Sequence, residues 1–121
     1  MKKRNEPLPV EQMKVLTILL DEKSKGYERP EGTSGPRLGQ AFEKDFKTKN
    51  YPAFFYLMSR LVKAGYVDPK MVVEMHGPYK IRQKHFTITR EGERAWRETM
   101  EFWKSLARHM NIQFGLEGSV S

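Results

Sequence analysis

The stretch YPAFFYLMSRLVKAGYV, residues 51–67, decides the fold class. At about 100° per residue it predicts one helix whose two sides differ in chemistry. The side expected to be buried is apolar and consists of Phe54, Leu57, Met58, Leu61 and Val62. The opposite side is polar and basic and consists of Tyr56, Ser59, Arg60 and Lys63. Gly65 is the expected end of this helix, because glycine readily adopts the left-handed conformation that closes helices.

A β-hairpin is predicted after this helix. Residues 71–75, MVVEM, favour a strand because they include two valines. Residues 76–79, HGPY, supply turn formers, and residues 80–89 supply the returning strand. Helix, strand, turn and strand in this order are the second half of a winged helix-turn-helix.

Alternation along the returning strand assigns its two faces. Phe86 and Ile88 share one parity and are expected to face the core, so His85 and Thr87 are expected to point outward. His85 is accordingly interpreted as a surface or phosphate-facing residue. The tip of the hairpin is basic and poor in core residues, as a wing over a phosphate backbone requires. Its cations are Lys80, Arg82 and Lys84.

Two more helices are predicted before the opening stretch. Residues 10–21 have an apolar stripe at helical spacing that includes Val10, and residues 36–46 have a second one. The short interval between residue 46 and residue 51 fits the turn of a helix-turn-helix. In the loop that joins the first two helices, Thr33 or Ser34 is expected to cap the second one.

The last predicted helix begins after Thr89, which can cap it, and ends near Met110. About twenty residues of helix span roughly 30 Å, which is longer than a small three-helix core covers. Its broad aromatic face is therefore expected to meet a partner helix in a homodimer, although the face could instead fold back onto its own domain. The residues expected in the dimer interface are Trp96, Thr99, Phe102, Trp103, Leu106 and Met110.

The composition is that of one small globular domain: 121 residues, 38% hydrophobic and 31% charged. Residues 1–9 are expected to be a flexible basic arm, 10–89 the winged helix domain, 90–110 the dimerisation helix and 111–121 a flexible tail. The predicted fold class is thus mainly α with a small antiparallel β-hairpin (α+β), a winged helix-turn-helix with an added C-terminal dimerisation helix. Without a cysteine, a secretory signal or a membrane-spanning run, the expected location is the cytoplasm, with no membrane partner.

The net charge of +7 suggests a polyanionic partner, and its distribution is uneven. Residues 60–90 contain seven positive and two negative side chains, a net +5, so most of the excess lies on the helix and the hairpin. A merely solvated basic face is the simpler interpretation, but this concentration favours double-stranded DNA. The expected recognition-helix residues are Lys49, Asn50, Tyr56, Ser59, Arg60 and Lys63, and the wing residues are Lys80, Arg82 and Lys84.

Two of these residues allow more than one role. Arg60 could bond guanine or a phosphate, and spacing does not decide between them. Asn50 could bond adenine or cap the helix. The alternative function is a protein-interaction module that uses the aromatic C-terminal helix and has only non-specific affinity for nucleic acid.

Enzyme activity is not expected, because neither an HExxH motif nor a nucleophile elbow is present. The EGTSG segment, residues 31–35, lacks the Gly-Lys-Ser/Thr ending of a phosphate-binding loop. No catalytic residue, metal or cofactor is therefore assigned. A small-molecule effector of unspecified identity could bind near Phe54, Phe55, Tyr66, Trp96 and Trp103, although aromatic residues at this spacing are more often core.

The stretch Phe55–Val67 resembles the recognition helix of PadR-like winged-helix transcription regulators. Arg60, Leu61 and Gly65 match that family's Arg-Leu and Gly positions, while Tyr51-Pro52-Ala53 stands one helical turn earlier than in the family. Residues 84–96, KHFTITREGERAW, are similar to its second wing strand and following helix, and residues 26–28 to its Gly-Tyr-Glu. MarR-like regulators share the Arg-Leu…Gly and wing pattern. The resemblance implies a dimer through the C-terminal helix, operator binding and repression.

Overall fold

The computed structural model describes residues 6–25, 32–46 and 51–114. These residues form four helices and a three-stranded antiparallel sheet, an α+β arrangement that agrees with the predicted class. In chain order the elements are α1 (Val10–Ser24), β1 (Thr33–Ser34), α2 (Gly35–Phe46), α3 (Tyr51–Lys63), β2 (Val67–His76), β3 (Tyr79–Ile88) and α4 (Arg90–Phe114).

The core lies between α3, the other helices and the base of the sheet. Phe54, Met58 and Leu61 are buried on one side of α3, as predicted. The rings of Phe54 and of Phe42 on α2 lie 5.3 Å apart in a tilted arrangement. The remaining buried apolar residues are Leu8, Met13, Val15, Leu16, Ile18, Leu19, Leu38, Val67, Phe86, Ile88 and Ala95.

The burial of α1 differs from the predicted stripe. Val10 was expected to face the core, but 55% of it is exposed. The buried side chains of α1 spread around the helix instead, and they include the adjacent pairs Val15–Leu16 and Ile18–Leu19. The reason is that α1 contacts α2, α3, α4 and β3, so more than one side of it is covered.

The sheet has the strand order β1-β3-β2, and its short first strand was not predicted. Thr33 pairs with Phe86 and Ser34 with His85. Two residues carry no alternation that could reveal a strand, so the sequence gives no local signal for β1. The Ser34 hydroxyl also accepts a 3.2 Å hydrogen bond from the Arg37 N–H, which confirms the predicted cap of α2.

The hairpin is longer than predicted, because β2 begins at Val67 rather than at residue 71. Its register runs from Val67 opposite Ile88 to His76 opposite Tyr79, and Gly77 closes the turn with a φ of 65°. Pro69 lies inside β2, which is an outer strand of the described sheet. Proline is tolerated at residue 69 because the backbone nitrogen at this position points away from β3. No hydrogen bond to β3 is lost there, although proline has no N–H.

One junction connects α3, the hairpin and α4. The Thr89 N–H donates to the Tyr66 carbonyl at 3.0 Å, and the Thr89 hydroxyl donates to the Gly65 carbonyl at 2.7 Å. The same hydroxyl accepts from the Gly92 N–H at 2.9 Å, which confirms Thr89 as the cap of α4. Gly65 has a φ of 85° and ends α3 as expected. Thr89 therefore holds together the end of α3, the start of β2, the end of β3 and the start of α4.

The N-terminal half of α4 packs against its own chain. The Leu8 N–H donates to the buried Thr99 hydroxyl at 3.0 Å, and the Trp96 indole N–H donates to the Thr17 hydroxyl of α1 at 2.9 Å. Leu8 is itself buried, so this part of the expected flexible arm belongs to the core. Residues 1–5 and 115–121 lie outside the described residues, and residues 111–114 of the expected tail belong to α4. No helix in the described ranges is long and apolar enough to cross a membrane.

Gly92 allows α4 to begin against the backbone of residue 66. A Cβ atom at residue 92 would overlap the Tyr66 carbonyl oxygen and lie 2.9 Å from an Ile88 side-chain carbon. We expect Gly92→Ala to lower the free energy of unfolding by about 1–3 kcal/mol, the usual cost of overpacking. Gly35→Ala is the matched control, because its added Cβ would meet only ordinary contacts at 3.6 Å. Equal unfolding free energies of the two variants in urea would contradict the predicted clash.

Candidate nucleic-acid interface

The outer side of α3 is exposed, as the helical periodicity predicted. Tyr56, Ser59, Arg60 and Lys63 are all solvent-exposed, and Phe55 is exposed beside them. The Arg60 guanidinium lies over the Tyr56 ring at 4.8 Å from its centroid and donates a 2.9 Å hydrogen bond to the Tyr56 hydroxyl. Residues four apart share one helix face, which is why this pair forms. Arg60 is therefore held in a defined position while most of its donors remain available.

The predicted cations of the hairpin share one face. Lys80, Arg82 and Lys84 occupy alternate positions of β3, and all three are exposed. At about 3.3 Å per residue the row is roughly 13 Å long. The residues opposite them on β2 are Met75, Val73 and Met71, which are exposed as well. This apolar row was not predicted, although it follows from combining the HGPY turn with the antiparallel register.

A cleft of about 460 Å³ lies between α3 and the hairpin. Phe55 and Ser59 line it on the helix side, and Lys84 and Phe86 line it on the hairpin side. Of the candidate residues, Ser59 on the helix and Lys84 on the hairpin therefore line one cleft. On the other side of the helix, Tyr56, Arg60 and Lys63 line a depression with Gln12 of α1.

The positive side chains of residues 60–90 are exposed to solvent. All seven cations between residues 60 and 90 are exposed, namely Arg60, Lys63, Lys70, Lys80, Arg82, Lys84 and Arg90. Of the two acidic residues in this range, Asp68 is exposed and Glu74 is engaged by two histidines. Lys49 and Asn50, the other two candidates, lie outside the described residues.

His85 is buried, which corrects the outward, phosphate-facing position expected from alternation. Only 5% of it is exposed. Its Nδ1 lies 3.1 Å from the Gly32 carbonyl oxygen and its Nε2 lies 2.9 Å from a Glu74 carboxylate oxygen. Alternation identified the face correctly, but Gly32, the residue before β1, contacts the His85 ring there. His85 thus stabilises the sheet rather than contacting solvent.

Glu74 bridges two imidazoles on the hairpin. Its second carboxylate oxygen lies 3.2 Å from His76 Nε2. The hydrogen bond with His76, followed by the hydrogen bond with His85, holds the pKa of the Glu74 carboxyl below its ordinary value, although partial burial opposes this shift. Within the described residues, no group of three or more metal-ligating side chains is arranged to hold a metal ion.

The residues expected in a dimer interface divide into two groups. Thr99 is only 2% exposed and Trp96 contacts α1, so both are used within the chain. Phe102 and Leu106 continue the same stripe but are 47% and 45% exposed. Met110 is exposed too, and Trp103 is half-buried. The domain therefore stops covering α4 near Phe102.

The aromatic residues considered for an effector pocket lie in different environments. Phe54 is in the core, and Phe55 lines the cleft beside α3. Trp96 and Trp103 belong to α4, where the indole of Trp96 is bonded to α1. The cleft at Phe55 is thus the place where an effector would meet one of these rings.

Glu74 gives a prediction for the pH dependence of stability. Because its pKa is lowered in the folded chain, its contribution is present above the unfolded value of about 4.5 and is lost as the pH falls through the folded value. We expect the difference in unfolding free energy between the native chain and Glu74→Gln to shrink as the pH falls below about 4.5. Urea unfolding from pH 3 to pH 7 measures it. His76→Asn should reduce the effect, and a difference that does not vary with pH would contradict it.

Comparison with known proteins adds no assignment: no family model, no curated protein and no solved structure matches this chain.

Proposed function

We propose that this chain is a sequence-specific double-stranded DNA-binding transcriptional regulator that acts as a repressor by occupying a palindromic operator as a homodimer. The observation that carries the proposal is the exposed outer side of α3, with Tyr56, Ser59, Arg60 and Lys63, next to a hairpin with exposed cations. Ser59 and Lys84 line the same cleft between the two elements. An exposed helix beside a cationic ribbon suits a polyanion with grooves.

The order of the elements supports a winged helix-turn-helix. Four residues separate α2 from α3, a length that suits the turn of this motif. The second helix of such a pair is the one that enters the major groove, and here it is α3. The hairpin β2–β3 follows directly, and we assign it the role of the wing. On this assignment the bound duplex lies against the outer side of α3 and the basic face of the hairpin.

On the exposed side of α3, the side chain of Arg60 is held in position by Tyr56. Its contacts with Tyr56 leave donors of the guanidinium free for a base edge or a phosphate. A guanidinium that is already ordered loses less side-chain entropy on binding. Bidentate bonding to guanine would give sequence discrimination, whereas bonding to a phosphate would give affinity alone.

The hairpin would position the protein on the duplex. Lys80, Arg82 and Lys84 form a row of exposed cations that neutralise phosphates. Such contacts fix orientation and register, and they carry little sequence information. The proposed division of labour is therefore reading by α3 and positioning by the hairpin.

The homodimer is proposed to form through the C-terminal part of α4. The apolar stripe is buried at Ala95 and Thr99 and becomes exposed at Phe102 and Leu106. Apolar patches of this kind are rarely left uncovered on monomers. A twofold dimer would place two α3 helices on half-sites about one helical turn of DNA apart. The same exposed stripe is the observation that favours the second candidate function, a protein-interaction module.

The roles of helix and hairpin are tested by binding of purified protein to duplex DNA, with selection of retained sequences from a random pool across a salt series. We expect Arg60→Ala to cost about 1–3 kcal/mol on the selected sequence and to relax selection at one base if Arg60 bonds guanine. Arg82→Glu should weaken binding to every sequence and flatten the salt dependence.

Arg97→Ala is the matched control, because Arg97 is an exposed cation of α4 outside both groups. Arg97→Glu is the corresponding control for Arg82→Glu, and affinity and salt dependence that respond equally to these two variants would contradict a specific role for the hairpin. Weak binding without sequence preference would favour the protein-interaction module.

The α4 interface is tested by the oligomeric state. We expect Leu106→Glu to weaken self-association at least tenfold in sedimentation equilibrium, because it places a charge in the apolar contact. Lys104→Glu is the control. It changes the net charge more than Leu106→Glu does, but residue 104 lies on the opposite side of α4. Equal association constants for the two variants would count against α4 as the interface.

A further inference from the structure

One margin of the hairpin is a strand edge with which no other described strand pairs. Tyr66 and Thr89 share a backbone hydrogen bond at the start of the ladder, so every second residue from Tyr66 faces β3. The intervening residues Met71, Val73 and Met75 direct their N–H and C=O groups away from it. Their side chains are 55%, 57% and 61% exposed. Among the described strands, none pairs with this side of β2.

The two free margins of the hairpin differ in chemistry. Beyond the two pairs with β1, the outward positions of β3 are Lys80, Arg82 and Lys84, and charged side chains discourage another strand from pairing there. The corresponding positions of β2 are Met71, Val73 and Met75, which offer apolar contact together with unpaired backbone groups. Of the two margins, only the edge of β2 is therefore suited to receive a strand.

We infer that this edge binds the same edge of a second copy of the chain, antiparallel, about a twofold axis at Val72. In that register Lys70 lies opposite Glu74 of the second copy and Asp68 lies opposite its His76. The opposite charges of Lys70 and Glu74, which face each other across the strands on each side of the axis, stabilise the pair. Met71 lies opposite Val73 of the second copy, so an apolar pair flanks the axis on each side.

Neighbouring registers lose this complementarity. An axis at Glu74 or at Lys70 sets a residue against its own like-charged copy, and an axis at Met71 sets Asp68 against Glu74. An axis at Val73 sets Lys70 against His76 and Glu74 against Val72, so that register has no pair of opposite charges. Like charges opposite each other destabilise strand pairing. Self-complementarity within β2 therefore selects the axis at Val72.

The backbone groups agree with the same register. Met71 and Val73 of the two copies would exchange both of their N–H and C=O groups, because both residues face outward. The Met75 N–H would donate to the carbonyl of Pro69, which needs no donor of its own. Proline at residue 69 is thus compatible with the pairing. This inference stands on the geometry of β2 alone and does not depend on DNA binding or on α4.

Cross-linking at the axis tests the register directly. The native chain has no cysteine, so Val72→Cys introduces one thiol, which limits the covalent product to a dimer. Opposed Cα atoms in a non-hydrogen-bonded pair lie about 4.5 Å apart, within the range that a disulfide spans. Gln83→Cys is the matched control, since it pairs with Val72 on the same face but belongs to β3. Under mild oxidation we expect Val72→Cys to form the linked dimer at least ten times faster.

Two further changes distinguish edge pairing from a chance collision of thiols. Val73→Pro removes a donor that points away from β3 and should slow cross-linking of Val72→Cys at least tenfold, with circular dichroism unchanged. Lys70→Glu should slow it at least threefold, because glutamate would then oppose Glu74, whereas Lys84→Glu on β3 should not. Equal cross-linking of the cysteine variants, or cross-linking that survives Val73→Pro, would overturn the inference. A Val72→Cys chain that stays monomeric would also overturn it and would leave the edge to a strand of another protein.

Discussion

The structure depends on the hydrogen bonds that converge on Thr89. Its backbone and hydroxyl join the end of α3, the start of β2 and the first turn of α4 within a few residues. Because the Tyr66 carbonyl is one acceptor, this junction also sets the register of the hairpin and hence which side chains share a face. A slip by one residue would exchange the two faces of the hairpin and would turn the row of cations away from α3.

One face of the hairpin is buried at its base and exposed towards its tip. Near the base, Val67, Phe86 and Ile88 are buried against the helices. Further out, the same parity gives exposed residues, because the ladder extends beyond the core that covers it. Cations and apolar side chains consequently lie next to each other on this outer part, and they come from opposite strands. The mixed chemistry of the candidate interface is a direct result of the strand length.

The features that sequence predicted well are those with a local signal. Both sides of α3, its end at Gly65 and the caps at Ser34 and Thr89 follow from periodicity and from side-chain chemistry. The parts that it missed depend on residues distant in the chain. His85 is covered by the segment at Gly32, which lies 53 residues earlier. The same holds for Thr99, which is bonded to Leu8 across 91 residues.

The candidate surface shows the same division. Exposure of Tyr56, Arg60 and Lys63 could be predicted from one helix, but their relation to the hairpin could not, because it depends on how α3 and the sheet pack. The split of the α4 stripe at Phe102 likewise depends on where α1 stops covering it.

Both tryptophans of the chain belong to α4, and neither lies on α3 or on the hairpin. Trp96 is bonded to α1, and Trp103 is half-buried where the helix leaves the domain. Intrinsic tryptophan fluorescence of this protein therefore reports on how α4 packs against the rest of the domain. An added fluorophore is needed for optical signals from the surface formed by α3 and the hairpin.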